Sequence, residues 1–393
     1  MAFSILLVKL CQAAHYFVTI IYTKVKNTEL TPTTLMSDTL TKLTYQTFQQ
    51  GKNYFGLAHK ILSTRLMSLV SPNVERKSKP ISPELLERIR QRFDQLLEVD
   101  WQDAERGVYP KSLLFDNPWE DFFLYYPLIW LEMPQMWERN KQKRHQEFSK
   151  EVETKGYPSY YLQNFHHQTN GYLSDLSANL YDLQVEILFS GSADPMRRRI
   201  LAPLKRGLQA FNTVVLPQQL RVLDVACGTG RTLKLIRSAL PQASLFGTDL
   251  SPAYLRKANQ LLSQIPGELP QLLQANAEEL SYLDNYFHAV TCVFLFHELP
   301  AAVRQRVIEQ CFRVTQPGGT FIICDSIQVS DSPEFLPAME NFHETFHEPY
   351  YKNYITDDLV ERLETAGFRN IKTEIHLMSK YLIAHKLVEG VGG

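Results

Sequence analysis

The sequence has little that ties it to one compartment or one kind of polymer. Its 393 residues contain five cysteines (Cys11, Cys227, Cys292, Cys311 and Cys324) and no C-x-x-C pair. That argues against both a disulfide framework and a thiolate zinc site. Cys227, Cys292 and Cys324 lie in or beside apolar runs, so they read as reduced core residues of a cytoplasmic protein. Neither sign of charge is in excess: 41 Lys and Arg against 42 Asp and Glu leave a formal charge of −1. No global pull towards nucleic acid or an anionic membrane follows from this. The basic runs at 139–144 and 197–199 stand beside acidic residues and are expected to be solvated helix faces. Internal repeats and low-complexity tracts are lacking. So is an uninterrupted apolar run of the ~20 residues that a spanning helix needs. The nearest, Phe3–Tyr22, is broken by Lys9, Gln12 and His15 and has no basic region before it. Two readings of residues 1–35 stay open, a membrane anchor and an extension ahead of a true start at Met36. The polar interruptions favour the second.

What is present is ordinary globular composition, 44% hydrophobic and 21% charged, in a chain long enough for more than one domain. Three regions are expected. Residues 1–78 carry an amphipathic helix over 37–78, with Leu57, Ile61, Leu62, Leu66 and Leu69 at helical spacing. Lys60 and Arg65 flank that face and would suit peripheral membrane contact. Val74–Pro83 reads as a linker. Residues 79–155 form a helical, aromatic-rich module. Ser82-Pro83 caps its first helix, and Pro118, Pro127 and Pro134 are expected to prevent one long helix over 112–138. Residues 156–393 form the main domain. After Pro217, β-rich runs at 221–226, 244–248, 271–275, 287–295, 319–325, 370–376 and 379–385 alternate with helical segments. The implied fold is α/β: a doubly wound seven-stranded sheet, mainly parallel, with an antiparallel edge hairpin and an N-terminal helical extension.

The informative segment is VLDVACGTG at 222–230, an apolar strand running into a small-residue turn and a helix. Ala226, Gly228 and Gly230 leave the backbone open to a ligand, at the strand end where open α/β sheets bind one. A dinucleotide fingerprint would need a third small residue, where this chain has Leu233. That disfavours a nicotinamide cofactor and an NAD(P)-dependent oxidoreductase.

In order, VLDVACGTG, LFGTDLS, LLQANAEEL, YFHAVTCVFLFHELP and VTQPGGTFIICDS resemble the motifs of class I S-adenosylmethionine-dependent methyltransferases. The resemblance covers about 180–387 and is nearest to the quinone-biosynthesis C-methyltransferases and related small-molecule enzymes. The extension before it resembles that of cyanobacterial and plastid methyltransferases and fixes no substrate. The resemblance implies S-adenosyl-L-methionine as cofactor, held by Asp224, Ala226, Gly228, Gly230, Asp249, Leu250, Asn276, Ala277 and Phe294. Asp249 would accept from the ribose hydroxyls and Asn276-Ala277 would hold the adenine, although many members have Asp where this chain has Asn276. Asp224 has a second reading, an acid capping the following turn.

The implied reaction needs a nucleophile aligned with an activated methyl group, water excluded and, for a carbon or hydroxyl nucleophile, a proton removed. His297, at the end of the fourth strand, is the candidate base or substrate ligand. Tyr172, Tyr181, His166 and His343 are candidates for a lid or substrate wall. His343-Glu344-Thr345-Phe346-His347 fits the zinc-protease pattern H-E-x-x-H. With eleven histidines and a proline close behind, it reads as a chance match, and no metal is expected. Neither an NPPY-type loop nor an RNA-binding signature is present, so the expected partner is a small apolar acceptor. A catalytically idle, cofactor-binding scaffold is the alternative from another class; the sequence does not fix an oligomeric state.

Overall fold

Strand order places the functional end of the sheet. The computed structural model describes residues 34–70, 81–117 and 119–388. The chain begins with helices α1 (Thr34–Val70), α2 (Pro83–Glu105), α3 (Trp119–Gln142), α4 (Asp175–Leu188), α5 (Ala193–Arg198) and α6 (Leu201–Leu208). Then come β1 (Arg221–Val225), α7 (Arg231–Ala239), β2 (Ser244–Asp249), α8 (Pro252–Leu262), β3 (Gln271–Gln274), β4 (Phe287–Val293) and α9 (Ala301–Val314). The last part is β5 (Thr315–Ser326), α10 (Leu336–Thr345), α11 (Tyr351–Tyr354), α12 (Leu359–Ala366), β6 (Arg369–His376) and β7 (Ser379–His385). The sheet runs β3-β2-β1-β4-β5-β7-β6. Its first five strands are parallel, and β7 is antiparallel to both neighbours. This is the doubly wound sheet read from the sequence. The hairpin turns its apolar strand inward: Tyr381, Leu382, Ile383 and Ala384 of β7 are buried, while β6, with Arg369, Lys372 and Glu374, forms the edge.

Side chains alternate between two cores. Val222, Ala289, Ile322, Cys324 and Ile383 face one core, closed by Leu201 and Leu204 of α6, Leu235 of α7 and Leu262 of α8. Leu223, Val225, Val290, Phe321 and Leu382 face the other, closed by Val307 of α9, Met339 of α10 and Leu363 of α12. With both faces covered, a ligand is left the carboxyl ends of the strands, where winding reverses between β1 and β4.

Three expectations change. Pro127 and Pro134 sit inside α3, which runs on to Gln142 as one helix. Seven residues apart, they fall on one side, where a gentle bend can absorb their missing hydrogen bonds. Tyr126, Ile129 and Trp130 anchor the helix against Leu180 and Leu183 of α4 and Phe55 of α1. The basic runs are solvated only in part: Lys141, Lys143 and Arg144 are exposed as expected, whereas Arg139, Arg197, Arg198 and Arg199 are buried. Arg197 pairs with Asp194 at 3.1 Å, Arg198 with Asp100 at 2.5 Å, Arg199 with Asp103, and Arg139 donates to the His167 carbonyl. Arg198 and Arg199 are neutralised by acids almost a hundred residues away, and Arg197 by one three residues before it. The Leu57–Leu69 stripe of α1 divides: Leu62 and Leu66 pack inward, whereas Leu57 and Ile61 are exposed. Among the described residues no helix is long and apolar enough to cross a membrane. The expectations for residues 1–33, for most of the 74–83 linker and for Pro118 lie outside the described residues.

Candidate active site

The turn after β1 places three left-handed residues in five: Ala226 (φ 55°), Gly228 (φ 54°) and Gly230 (φ 80°). Cys227 N–H donates to the Thr248 carbonyl (2.8 Å) and Gly230 N–H to the Cys227 carbonyl (2.9 Å). The two glycines serve different ends. A Cβ added at Gly228 would meet only Tyr254 Cδ1, at 3.9 Å, so this side of the turn is open. A Cβ at Gly230 would stand 3.0 Å from Ala258 Cβ and 3.1 Å from Leu262 Cδ1. Gly230 therefore lets α7 approach α8, a packing role beside the ligand contact expected of it. Ala226 holds its left-handed turn at a cost of ~1–2 kcal/mol, strain of the kind that collects at functional sites.

At the end of β2, Asp249 Oδ2 accepts from Gly228 N–H (2.9 Å) and Oδ1 from Ser251 N–H (2.8 Å). Burial raises its pKa to about 6 against these hydrogen bonds, and each oxygen keeps a lone pair for a ligand. Asp224 is buried and accepts from Thr291 Oγ1 on β4 at 2.7 Å, with a pKa that burial lifts to about 7. That bond runs across the sheet, so Asp224 does not cap the turn after its own strand. The Leu250 carbonyl accepts from Gln274 (3.2 Å), and Asn276 Oδ1 accepts from Glu278 N–H (3.0 Å), two residues on. Ala277 beside it is partly buried. Phe294, left-handed at φ 60°, follows β4 and stacks with Phe189 at 6.0 Å between centroids.

An aromatic wall stands over these groups. Tyr172, Tyr181 and Tyr254 meet edge to face, with centroids 5.4–6.1 Å apart. Tyr161 and Phe165 extend the wall. Ser251 Oγ donates to the Tyr172 carbonyl at 2.6 Å, joining wall to acidic strand end. Sequence reasoning found Tyr172 and Tyr181 but missed Tyr161 and Tyr254. Tyr254 was readable as the first turn of the helix after LFGTDLS.

Beyond the wall lies a group of ionisable side chains. His297 is buried with Nδ1 2.6 Å from Asp325 Oδ1 at the end of β5. Burial alone would lower its pKa, but the Asp325 carboxylate, with Glu348 and Glu298 behind it, raises it to about 9. Asp325 is also held by N–H groups of Phe296 and Ser326, each at 2.7 Å. Glu298 accepts from the Tyr172 hydroxyl at 2.5 Å; burial and the neighbouring Glu348 raise its pKa to about 7. His166 Nε2 lies 3.0 Å from Glu348 Oε1, and His343 Nδ1 lies 3.1 Å from the Glu348 carbonyl. Thus His297, His166, Tyr172 and His343 do converge. Asp325, Glu298 and Glu348 were missed, because nothing in sequence spacing links residues near 166, 298 and 348. The H-E-x-x-H match comes apart: α10 ends at Thr345, so His343 and His347 share no helix face. His347 turns to Gln163 (3.0 Å) and stacks on His145 at 3.9 Å.

Residues 222–319 match the family model described as a methyltransferase domain. A ubiquinone/menaquinone biosynthesis C-methyltransferase of Desulfotalea psychrophila is 30% identical over 152 residues, 39% of this chain and 56% of that protein. A demethylmenaquinone methyltransferase of Thermotoga maritima is 30% identical over 153 residues, 39% and 59% of the two chains. The chain thus spans less than two thirds of the length of these relatives. Among solved structures, a SAM-dependent methyltransferase from Aquifex aeolicus aligns with 47% of this chain and 92% of its own, at 19% identity and a TM-score of 0.34.

Proposed function

We propose that this chain, whose residues 222–319 form a class I S-adenosylmethionine-dependent methyltransferase domain, methylates a small, apolar acceptor at a carbon or oxygen nucleophile. The observation that carries this reading is the Asp249 carboxylate, ionised and two-pronged, seated against the open side of Gly228. That pairing fits a nucleoside: the two oxygens suit a ribose diol, and the bare Gly228 leaves room for the chain attached to it. Leu250 and Asn276-Ala277 would line the adenine end, and Phe294 and Asp224 the amino-acid end. When bound, S-adenosylmethionine supplies a methyl group already activated by a sulfonium.

The rest falls to the protein. Tyr161, Tyr172, Tyr181 and Tyr254 exclude water from the space beside Asp249 and offer an apolar wall to the acceptor. Asp325 fixes the His297 ring through Nδ1 and so orients Nε2 as the acceptor's hydrogen-bond and proton partner. The names of the quinone-pathway relatives support a ring acceptor of this kind. A nicotinamide cofactor is disfavoured, because Leu233 is fully buried and fills the place a Gly247 Cβ would take, 2.7 Å away. The outward row of α1, including Leu57 and Ile61, supports peripheral membrane contact, which would bring the chain to a lipid-soluble acceptor. Calorimetry tests the core reading: S-adenosylhomocysteine should bind and NADP should not. Dinucleotide binding alone would overturn it, and S-adenosylhomocysteine binding with no methyl transfer to any quinone-like or phenolic acceptor would favour the scaffold.

A further inference from the structure

The side chains of His166, Glu298 and Glu348 come from three separate loops, yet one ligand atom of each lies within 4.8 Å of the others. Glu348 is the telling member. Its carboxylate is completely buried, and neither oxygen receives a hydrogen bond. His166 Nε2 stands 3.0 Å from Oε1, close enough for an ion pair but outside hydrogen-bond geometry. A buried carboxylate without donors is costly, and a bound cation is one arrangement that removes the cost. His166 and Glu298 keep 16% and 13% of their side chains accessible, so an ion can reach them. The Tyr172 hydroxyl, 2.5 Å from Glu298 Oε1, orients that carboxylate from behind, as outer-shell partners of metal ligands do.

We propose that His166, Glu298 and Glu348 form a binding site for a divalent first-row transition-metal ion. One imidazole, two carboxylates and no thiolate suit Mn2+, Fe2+ or Zn2+ rather than a soft monovalent ion. Ligands on one ion at ~2.1 Å stand roughly 3–4 Å apart, so small side-chain rotations close the present spacing. Neither histidine of the H-E-x-x-H match is a ligand of this site, since His343 meets the Glu348 backbone carbonyl and His347 turns to Gln163, and the site reverses the expectation that the chain holds no metal. Three protein ligands leave coordination positions open. On the methyl-transfer reading, and only there, an oxygen of the acceptor would take one of them next to His297.

The test uses the full chain treated with chelator, desalted and titrated with manganese chloride under electron paramagnetic resonance. One Mn2+ per chain is expected, with pulsed spectra showing a single imidazole nitrogen. In Glu348→Gln and in His166→Gln, affinity should fall at least tenfold. Titration of every variant with S-adenosylhomocysteine in parallel separates loss of fold, or failure of the cofactor reading, from loss of the metal. Should a variant not fold, the wild-type imidazole signal still decides. No uptake by wild type at about 1 mM Mn2+, uptake without an imidazole nitrogen, or wild-type affinity in both variants would overturn the proposal.

Discussion

At the residue scale, Asp249 and His297 carry separable duties, and their variants should fail differently. Asp249→Ala removes two acceptors for the ribose together with the acceptor of the Gly228 and Ser251 N–H groups, so the fold of the variant is checked by circular dichroism beside its affinity. S-adenosylhomocysteine affinity should drop by about 10–100-fold, a loss of ~1.5–3 kcal/mol from two charge-assisted hydrogen bonds. Unchanged affinity in a folded variant would mean that the nucleoside lies elsewhere. His297→Gln keeps a polar side chain at the position but cannot relay a proton. Turnover should fall roughly 10²–10³-fold with cofactor affinity intact, measured by single-turnover methylation beside calorimetry. Of these two residues the sequence displayed the identity, because a strand end followed by a helix is a local pattern. What it could not display is Asp325 behind His297, or Glu348 across from Glu298. Those meetings depend on how β5 and the loops after β4 and α10 come to rest, and no spacing encodes them.

At the element scale, the strands and their helices were legible because continuous apolar runs and a small-residue turn are written in consecutive residues. The helices before the sheet were less so. Prolines were taken at their local cost, whereas α3 is held by its aromatic contacts with α1 and α4. Arg198, in a basic run whose composition suggests surface, is the centre of a buried junction. Asp100 of α2 receives Arg198 at 2.5 Å, the Tyr45 hydroxyl of α1 at 2.5 Å and the Tyr109 hydroxyl at 2.6 Å. Arg198→Met leaves that carboxylate with two hydroxyl donors and without its bonded cation, Arg199 being held by Asp103. The expected destabilisation is about 3–5 kcal/mol, read by urea denaturation of the whole chain; a change below about 1 kcal/mol would mean the junction relaxes freely. His59 gives the same contact between α1 and α3 a dependence on acid. Its Nδ1 lies 3.2 Å from the Tyr126 hydroxyl, and its ring lies 4.7 Å from that of Trp130. Burial lowers its pKa from 6.5 to about 4. Because the folded value is the lower one, the unfolded chain takes up the proton first. The stabilisation is complete above pH 6.5 and is lost as pH falls towards 4, by at most ~3 kcal/mol. In His59→Phe the loss of melting temperature between pH 7 and pH 4.5 should shrink by that share; an identical loss would place the acid sensitivity in other histidines.

For the molecule as a whole, the question is what the outer face of α1 meets. Leu40 (65% exposed), Leu43 (59%), Tyr54 (69%), Leu57 (44%) and Ile61 (54%) recur at intervals of three, four and eleven residues, which puts them along one side of the helix. The opposite side is occupied, with Tyr45, Phe48 and His59 buried and Leu62 and Leu66 packed on α3 and α4. Lys60 and Arg65 are exposed beside the outer row, where their stems can lie along apolar surface and their charges in water. Five such side chains at about 1 kcal/mol each yield roughly 5 kcal/mol, a sub-millimolar partition rather than an insertion. With a net charge of −1, electrostatics add only what those two local cations supply. The full chain should therefore sediment in part with vesicles containing anionic lipid at low salt and be released by a high-salt wash. Replacing Tyr54, Leu57 and Ile61 together by Ser should abolish sedimentation and leave S-adenosylhomocysteine binding unchanged, since the row lies on the side of α1 away from the sheet. Sedimentation that survives both the wash and the triple replacement would move the membrane contact off α1.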